Sequence, residues 1–144
     1  MPSSAIHAHG TLLKKGDGGS PESFATIAEI TDLNPPSLGL ETNDVTSHDS
    51  PSHWREFIGS LLDGGDVSFT INYIPTATTH NATAGLIADL KNRTRRNWQI
   101  IFPDGSSTTW AFAALVTGFE PAAPIDDRLT ANITLKVTGV PTLV

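Results

Sequence analysis

The chain has 144 residues, no cysteine and a formal net charge of −6 at pH 7. The absence of cysteine excludes disulfides, thiolate chemistry and cysteine-built zinc sites, and no apolar run reaches the 18 residues that a membrane span needs. Residues 1–72 carry ten acids and three bases, whereas residues 73–144 carry five acids and six bases. Because phosphate binding needs a basic surface, this chain is a poor candidate for binding nucleic acid, although it is compatible with nucleic acid that passes without being bound.

The first 36 residues predict two strands separated by a turn. Residues 5–14 predict a strand, and the glycine-rich segment at residues 16–21 predicts a turn or loop after it. Residues 24–33 are rich in Ile, Thr and Phe, which favours a second strand. The sequence Asn34-Pro35-Pro36 ends this strand, because proline cannot donate a hydrogen bond to a neighbouring strand.

Residues 35–64 form a long polar stretch with three prolines, and we expect a loop there. A long loop in a compact domain is uncommon and usually functional. Five apolar residues within it recur at helical spacing and favour a short helix; they are Trp54, Phe57, Ile58, Leu61 and Leu62. If the loop leaves its own domain, each of these side chains gains about 1.5–3 kcal/mol by burial on another protein surface. The alternative is that the loop folds back on its own core.

The second half of the chain predicts four strands and one helix. Residues 66–74 alternate between apolar and small polar side chains, which is typical of a half-buried strand. Residues 80–92 carry an apolar stripe and predict a helix. Residues 97–103 and 108–119 predict two strands joined by a tight turn at Asp104-Gly105.

Residues 128–138 alternate again, with Thr130, Asn132, Thr134 and Lys136 on the polar side of a further strand. We expect Pro121 and Pro124 to interrupt the chain before it. Several strands, one helix and one large loop together predict a mainly β domain that spans residues 1–144 and packs a single helix.

Candidate catalytic and metal-binding groups do not combine into a recognisable site. His7 and His9 share a face of the first predicted strand, but no third ligand stands at a suitable spacing, and no Gly-x-Ser-x-Gly elbow is present. We therefore expect no enzyme activity, no catalytic or metal-binding residue and no cofactor. Two other functions stay open from the residues: a carbohydrate-binding β-sandwich module with Trp54, Trp98 and Trp110 on an exposed platform, and a hydrolase that uses His and Asp.

A series of short motifs runs along nearly the whole chain. In order, they are Gly16-Asp17-Gly18, Pro21-Glu22-Ser23-Phe24, Ile27-Ala28-Glu29-Ile30-Thr31, Asp44-Val45-Thr46, Asp49-Ser50-Pro51, Trp54-Arg55-Glu56-Phe57-Ile58, the turn from Leu61 to Asp66, Asn72-Tyr73, Phe102-Pro103-Asp104-Gly105, Val116-Thr117-Gly118-Phe119, and the ending from Leu135 to Gly139 with Pro141. Their order and spacing resemble the tail tube proteins of long, non-contractile-tailed bacteriophages, the lambda-like group.

This resemblance implies a β-sandwich or barrel-like fold with one flanking helix and a long loop that bridges subunits. It implies a structural virion protein whose hexameric rings stack into a hollow tail tube, assembled in the cytoplasm of the host bacterium, that conducts DNA during ejection. The implied partners are other copies of the chain, a tape-measure protein, tail-tip and terminator proteins, and genomic DNA that passes without specific binding; no membrane is involved. A tube protein of a related secretion apparatus is an alternative that the sequence does not separate.

Two sets of residues are candidates for the tube's function. The acidic balance of the chain and the small polar strand faces suggest a lumen lining of Asp66, Ser68, Thr70, Asn72, Thr130, Asn132 and Thr134, with Lys136 as a departure. The candidate subunit interface comprises Asp44, Trp54, Arg55, Glu56, Phe57, Ile58, Arg95 and Arg96.

Overall fold

The computed structural model describes residues 2–143, so that Met1 and Val144 of the predicted 1–144 domain lie outside the described residues. Its elements are β1 (Leu12–Gly16), β2 (Phe24–Thr26), β3 (Ile30–Asn34), β4 (Gly39–Asp44), β5 (Phe57–Asp63), β6 (Asp66–Asn72), α1 (Leu86–Lys91), β7 (Arg95–Ile101), β8 (Thr109–Ala122) and β9 (Thr130–Leu143). Seven strands form one antiparallel sheet in the order β2-β1-β7-β8-β9-β6-β3, and β4 pairs with β5 in a separate hairpin. The predicted mainly β fold with one helix is confirmed.

The seven-stranded sheet is strongly curled. Its two edge strands, β2 and β3, are joined by only residues 27–29. Since an extended chain advances at most about 3.6 Å per residue, this connection spans about 14 Å, whereas a flat sheet with strands about 4.8 Å apart would separate its edges by about 29 Å. The edges therefore approach each other, which gives the sheet a barrel-like form.

The inner face of the curled sheet carries the hydrophobic core. Alternate residues of each long strand point into it, as the patterns at residues 66–74 and 128–138 predict. The fully or almost fully buried core side chains from the sheet are Leu13, Val67, Phe69, Ile71, Trp98, Ile100, Phe112, Ala114, Val116, Ala131, Ile133, Leu135 and Val137. Ile27 from the edge connection and Leu86 of α1 complete the same cluster, so both segments close the core.

The helix is shorter than the predicted span of 80–92, because a polar side chain competes for the backbone at its start. The Asn81 Oδ1 atom accepts hydrogen bonds from the backbone N–H groups of Ala84 and Gly85 at 2.9 and 3.1 Å. An amide at this position favours a turn over a helix, so residues 81–85 form turns and α1 begins at Leu86.

Two predicted strands near the N-terminus are only partly formed. Of residues 5–14, only the part from Leu12 onward is a strand, because residues 8–11 form a turn in which Gly10 has a φ of +99°. The predicted strand 24–33 breaks at residues 27–29, where the chain crosses between the sheet edges and Glu29 adopts a φ of +61°.

The β7–β8 connection and the end of β8 also differ from prediction. Residues 102–108 replace the expected two-residue turn at Asp104-Gly105, and the Asp104 carboxylate holds this loop by accepting from the Ser106 and Thr108 backbone N–H groups. Pro121 does not interrupt the chain, because it lies within β8 opposite Ala131.

The predicted long loop is a β-hairpin, which we call the arm (residues 39–63). β4 and β5 pair from Gly39 opposite Asp63 to Asp44 opposite Phe57, and a 3₁₀ turn at Pro51–His53 lies in the segment between them. The prediction of a short helix around Trp54 is wrong. Most of the five apolar residues at helical spacing lie on strand β5, where pairing with β4 holds the backbone in an extended conformation.

Candidate functional site

The seven predicted lumen residues lie on one face of the sheet, although they come from distant parts of the sequence. β6 pairs with β9 so that Ser68 lies opposite Thr134 and Thr70 lies opposite Asn132. In the same register Asp66 lies opposite Lys136, and Asn72 opposite Thr130. Because residues directly opposite each other share a face, the two separate alternating patterns combine into one polar surface, which we call the polar face.

The polar face extends onto both neighbouring strands. On β3, Asn34 lies opposite Ser68 and donates its side-chain N–H to the Ser68 Oγ atom at 3.0 Å. On β8, Glu120 lies opposite Asn132. Asp32 of β3 also belongs to this face, because it lies opposite Thr70. These residues could not be assigned to the face from the sequence alone, because membership depends on strand register, which neither short segment encodes by itself.

Lys136, the cation that departs from an acidic lining, is flanked by two carboxylates. Its Nζ atom lies 3.7 Å from an Asp63 oxygen and 3.5 Å from an Asp66 oxygen. The Gly65 backbone N–H and, secondarily, the Lys136 ammonium lower the pKa of Asp63 below its ordinary value. Its carboxylate thus stays charged at neutral pH, and the positive charge of Lys136 does not stand alone on the polar face.

The apolar side chains of the arm are exposed in the isolated chain. Trp54 is 73% exposed, Phe57 and Ile58 are each 53% exposed, and Leu61 and Leu62 are 73% and 80% exposed. The alternative in which this segment folds back on its own core is therefore wrong. Exposed apolar residues concentrated on one projecting element are a feature of surfaces that bind another protein.

Two of the predicted interface residues, Asp44 and Glu56, make contacts within the tip of the arm, which we define as residues 44–58. The Glu56 carboxylate accepts from the Ser50 hydroxyl at 2.6 Å, and the Thr46 hydroxyl accepts from the Glu56 backbone N–H at 2.8 Å. The side-chain hydroxyl and the backbone N–H of Thr46 lower the pKa of Asp44. These contacts fix the tip conformation, so that Trp54, Phe57 and Ile58 are presented from a hydrogen-bonded turn.

Of the three arginines assigned to the interface, Arg55 and Arg95 are exposed, whereas Arg96 is half-buried. The Arg96 Nε atom donates to the buried Asp89 carboxylate at 3.1 Å, and Lys15 donates to the other Asp89 oxygen at 2.7 Å. Arg96 also donates to the Asp17 carbonyl at 3.0 Å. These bonds give Arg96 a role within its own chain, whereas Arg95 stays a candidate contact residue.

The tryptophans and histidines considered for binding or catalysis lie in different environments and do not form one site. Trp98 is completely buried and Trp110 is partly buried, so the three tryptophans do not form the exposed platform that the alternative of a carbohydrate-binding module requires. His80 is buried, with its Nε2 atom 2.8 Å from the Ala28 carbonyl and its Nδ1 atom accepting from the Ile74 backbone N–H at 3.2 Å. His7 and His9 precede β1 in an irregular segment rather than sharing a strand face.

Within residues 2–143, no group of three or more His, Cys, Asp or Glu side chains is arranged to hold a metal ion. None of the helices found in this part of the chain has the length and apolar character that crossing a membrane requires.

Comparison with known proteins identifies one matching family. The model of the lambda phage tail tube protein (TTP) family matches residues 9–144. None of the curated proteins matches the chain.

Several solved structures share the fold over almost its full length. The chain from the tail of an empty gene transfer agent (GTA) particle has a TM-score of 0.78 at 21% identity, and the match covers 97% of this chain and 99% of that one. A chain from the virion of a native GTA particle has a TM-score of 0.75 at 19% identity, with 97% and 99% covered. A chain from the sheath-tube complex of an extracellular contractile injection system has a TM-score of 0.70 at 12% identity, with 99% and 93% covered. At these identities the likeness concerns the fold.

Proposed function

The chain belongs to the lambda phage tail tube protein family, and on that premise we propose that six copies form a ring and that rings stack into a hollow tube for the genome. Membership makes the chain a structural component of the virion tail. The polar face is the observation that best supports a conduit, because it offers water-compatible small side chains on the outside of a sheet whose inner face is already packed.

We infer that the polar face lines the lumen. It spans four adjacent strands, β8, β9, β6 and β3. It carries the carboxylates of Asp32, Asp66 and Glu120 against two cations, Lys136 and Arg128, and the Arg128 Nε atom donates to the Asn72 side chain at 2.6 Å. Phosphates are repelled by such a surface at short range, so DNA would slide along it without being held. Val67, Phe69 and Ile71 do not compete for this role, because they are buried in the core.

The dimensions agree with passage of duplex DNA. If each of six subunits lends four strands about 4.8 Å apart and tilted by about 40°, the resulting barrel has a backbone diameter of roughly 48 Å. Side chains reduce this to a bore of about 35–40 Å. Joining the sheets around the ring also covers strand edges that would otherwise invite aggregation.

The arm is the element that supports contacts between copies. Its exposed apolar residues gain burial only on another surface, and the family premise makes further copies of the chain the most abundant neighbours. Arg55 and Arg95 are exposed cations on an otherwise acidic chain and would contribute to ion pairs between copies. We further propose that the lumen accommodates a tape-measure protein during assembly and that tail-tip and terminator proteins cap the tube.

Electron microscopy of the concentrated purified protein tests this function directly. Negative staining should reveal hollow filaments with a bore of about 35–40 Å, either spontaneously or after addition of a tail-tip complex as a seed. A protein that stays monomeric at every concentration, with and without the seed, would contradict the proposal.

A further inference from the structure

A buried histidine joins the two edges of the curled sheet to the segment that follows β6. His80 is completely buried and lies in the turns between β6 and α1. Its Nδ1 atom lies 3.2 Å from the Ile74 backbone nitrogen, and its Nε2 atom lies 2.8 Å from the Ala28 carbonyl oxygen. Ala28 is the middle residue of the connection at residues 27–29, which we call the edge connection. The imidazole ring therefore bridges two segments that are distant in sequence.

The two hydrogen bonds of His80 fix the protonation state of its ring. The backbone N–H of Ile74 can only donate, so the Nδ1 atom accepts and carries no proton. The carbonyl of Ala28 can only accept, so the Nε2 atom carries the proton and donates it. The folded chain thus holds a neutral ring in one tautomer. A charged imidazolium, which donates from both nitrogens, would lose the bond to Ile74.

The edge connection depends on the segment that carries His80. The Thr79 Oγ1 atom accepts from the Ala28 backbone N–H at 3.3 Å, so that side chains of residues 79 and 80 bind both backbone groups of Ala28. On either side, Ile27 is bonded to β1 and Glu29 to β6 through their backbones. Loss of the bridge at His80 would therefore release the middle of the connection that curls the sheet.

The immediate surroundings of the ring supply no counter-charge for a second proton. Both ring nitrogens have backbone partners, so within residues 2–143 neither of them is bonded to a carboxylate. Tyr73 presents an uncharged phenol ring, with its centroid 6.3 Å from that of His80. Glu29, which follows Ala28, is exposed to solvent. A charge that is buried without a partner is costly.

The charged groups of the neighbouring elements are engaged with one another. Lys15 of β1 and Arg96 of β7 both donate to the buried carboxylate of Asp89 on α1. On the side of β9, Arg128 lies 3.5 Å from the carboxylate of Asp127. Because each of these carboxylates already has a cation beside it, a protonated His80 would gain no free acid as a partner.

We propose that neutral His80 is an acid-sensitive lock on the curled sheet. A proton added at Nδ1 breaks the bond to Ile74, places an unpartnered charge in a buried position and releases the edge connection. A histidine in an unfolded chain is half protonated at about pH 6.5. Acid therefore favours the unfolded state, which takes up the proton that the folded state excludes, and stability falls as the pH falls. This inference does not depend on the proposed function, because all of these contacts lie within one copy.

Urea denaturation of the monomeric full chain at about pH 7.5 and about pH 5.5 tests the lock, since histidine changes its charge in this range. The unfolding constant of the wild-type protein should rise about tenfold at the lower pH, because only the unfolded state gains the proton. His80→Gln and His80→Asn, which cannot gain this charge, should change by less than about twofold.

His48→Gln is the matched control, because His48 is exposed and can gain its proton in both states. This variant should keep the roughly tenfold rise of the wild-type protein. Equal rises in the wild-type protein and in the two His80 variants, or no rise in the wild-type protein, would overturn the proposal.

NMR of the wild-type protein keeps the test decisive if the His80 variants do not fold. At about pH 7.5 the imidazole ¹⁵N shifts should place the proton on Nε2 and none on Nδ1. At about pH 5.5 hydrogen exchange at Ala28 and Ile74, corrected for the intrinsic rate, should rise more than at Ile133 of β9. A ring that carries a proton on Nδ1 at the higher pH, or exchange that rises equally at all three residues, would show that His80 is not the lock.

Discussion

The buried carboxylate of Asp89 shows how one residue ties three parts of the fold together. It lies on α1 and is 2% exposed, and it pairs with Lys15 of β1 and Arg96 of β7. A buried carboxylate is costly unless cations and hydrogen bonds compensate it. The two cations supply that compensation, and their bonds hold the short helix against the sheet.

We expect Asp89→Asn to lower the free energy of unfolding by about 1.5–3 kcal/mol, because the partly buried cations Lys15 and Arg96 lose their charge-assisted hydrogen bonds to the carboxylate. Urea denaturation of the monomer measures this change. Asp127→Asn is the control, since its pair with Arg128 at 3.5 Å is largely exposed and such pairs contribute about 0–1 kcal/mol. Equal effects of the two substitutions would show that the Asp89 network does not stabilise the fold.

The arm shows how far a local pattern can mislead. Its apolar residues are spaced as on a helix, yet the segment pairs as a hairpin, and every residue of β4 and β5 is exposed in the isolated chain. Strand prediction relies on one face being buried and the other solvated. An element whose apolar side chains have no surface within their own chain lacks that alternation, so its sequence predicted a loop.

We expect Trp54→Ala to abolish polymerisation without unfolding the protein. The side chain is 73% exposed, so its removal leaves the core intact and the free energy of unfolding of the monomer almost unchanged. Sedimentation and microscopy measure assembly, and urea denaturation measures stability. Ile125→Ala is the control, because Ile125 is also exposed but lies outside the arm, and this variant should still polymerise. Tubes of normal length from Trp54→Ala would refute the role of the arm tip.

The function of the tube as a conduit depends on which face of the curled sheet lines the lumen. In the tube that we propose, the polar face lines the lumen, because the inner face of the sheet is filled by core side chains. Hydrogen bonds across it, such as that of the Thr70 hydroxyl with Asn132 at 2.8 Å, satisfy its polar groups locally. Side chains that are engaged with one another offer fewer groups to a passing duplex.

We expect Asn132→Cys to be reachable only from inside the tube. Gold particles that are wider than the bore of about 35–40 Å and carry a maleimide should bind the monomeric variant but not the wall of assembled tubes. A small maleimide should label both forms, which controls for reactivity of the thiol. Gold bound along the tube wall would show that the polar face is on the outside.

The sequence by itself determined the parts of this protein that a chain encodes locally. Strict alternation at residues 66–74 and 128–138 predicted two strands and their buried faces, since side chains alternate with a period of two, although β6 ends at Asn72 and β9 extends from Thr130 to Leu143. The order of short motifs also indicated the family, which the family match confirmed.

The tertiary structure alone decided how those parts combine. Pairing of β6 with β9 merged two distant polar patterns into one face, and the three-residue connection at residues 27–29 curled the sheet around its core. The hairpin form of the arm also emerged only in three dimensions. Register, edge proximity and grooves arise from contacts between residues far apart in the chain, whereas propensity and periodicity describe only neighbours.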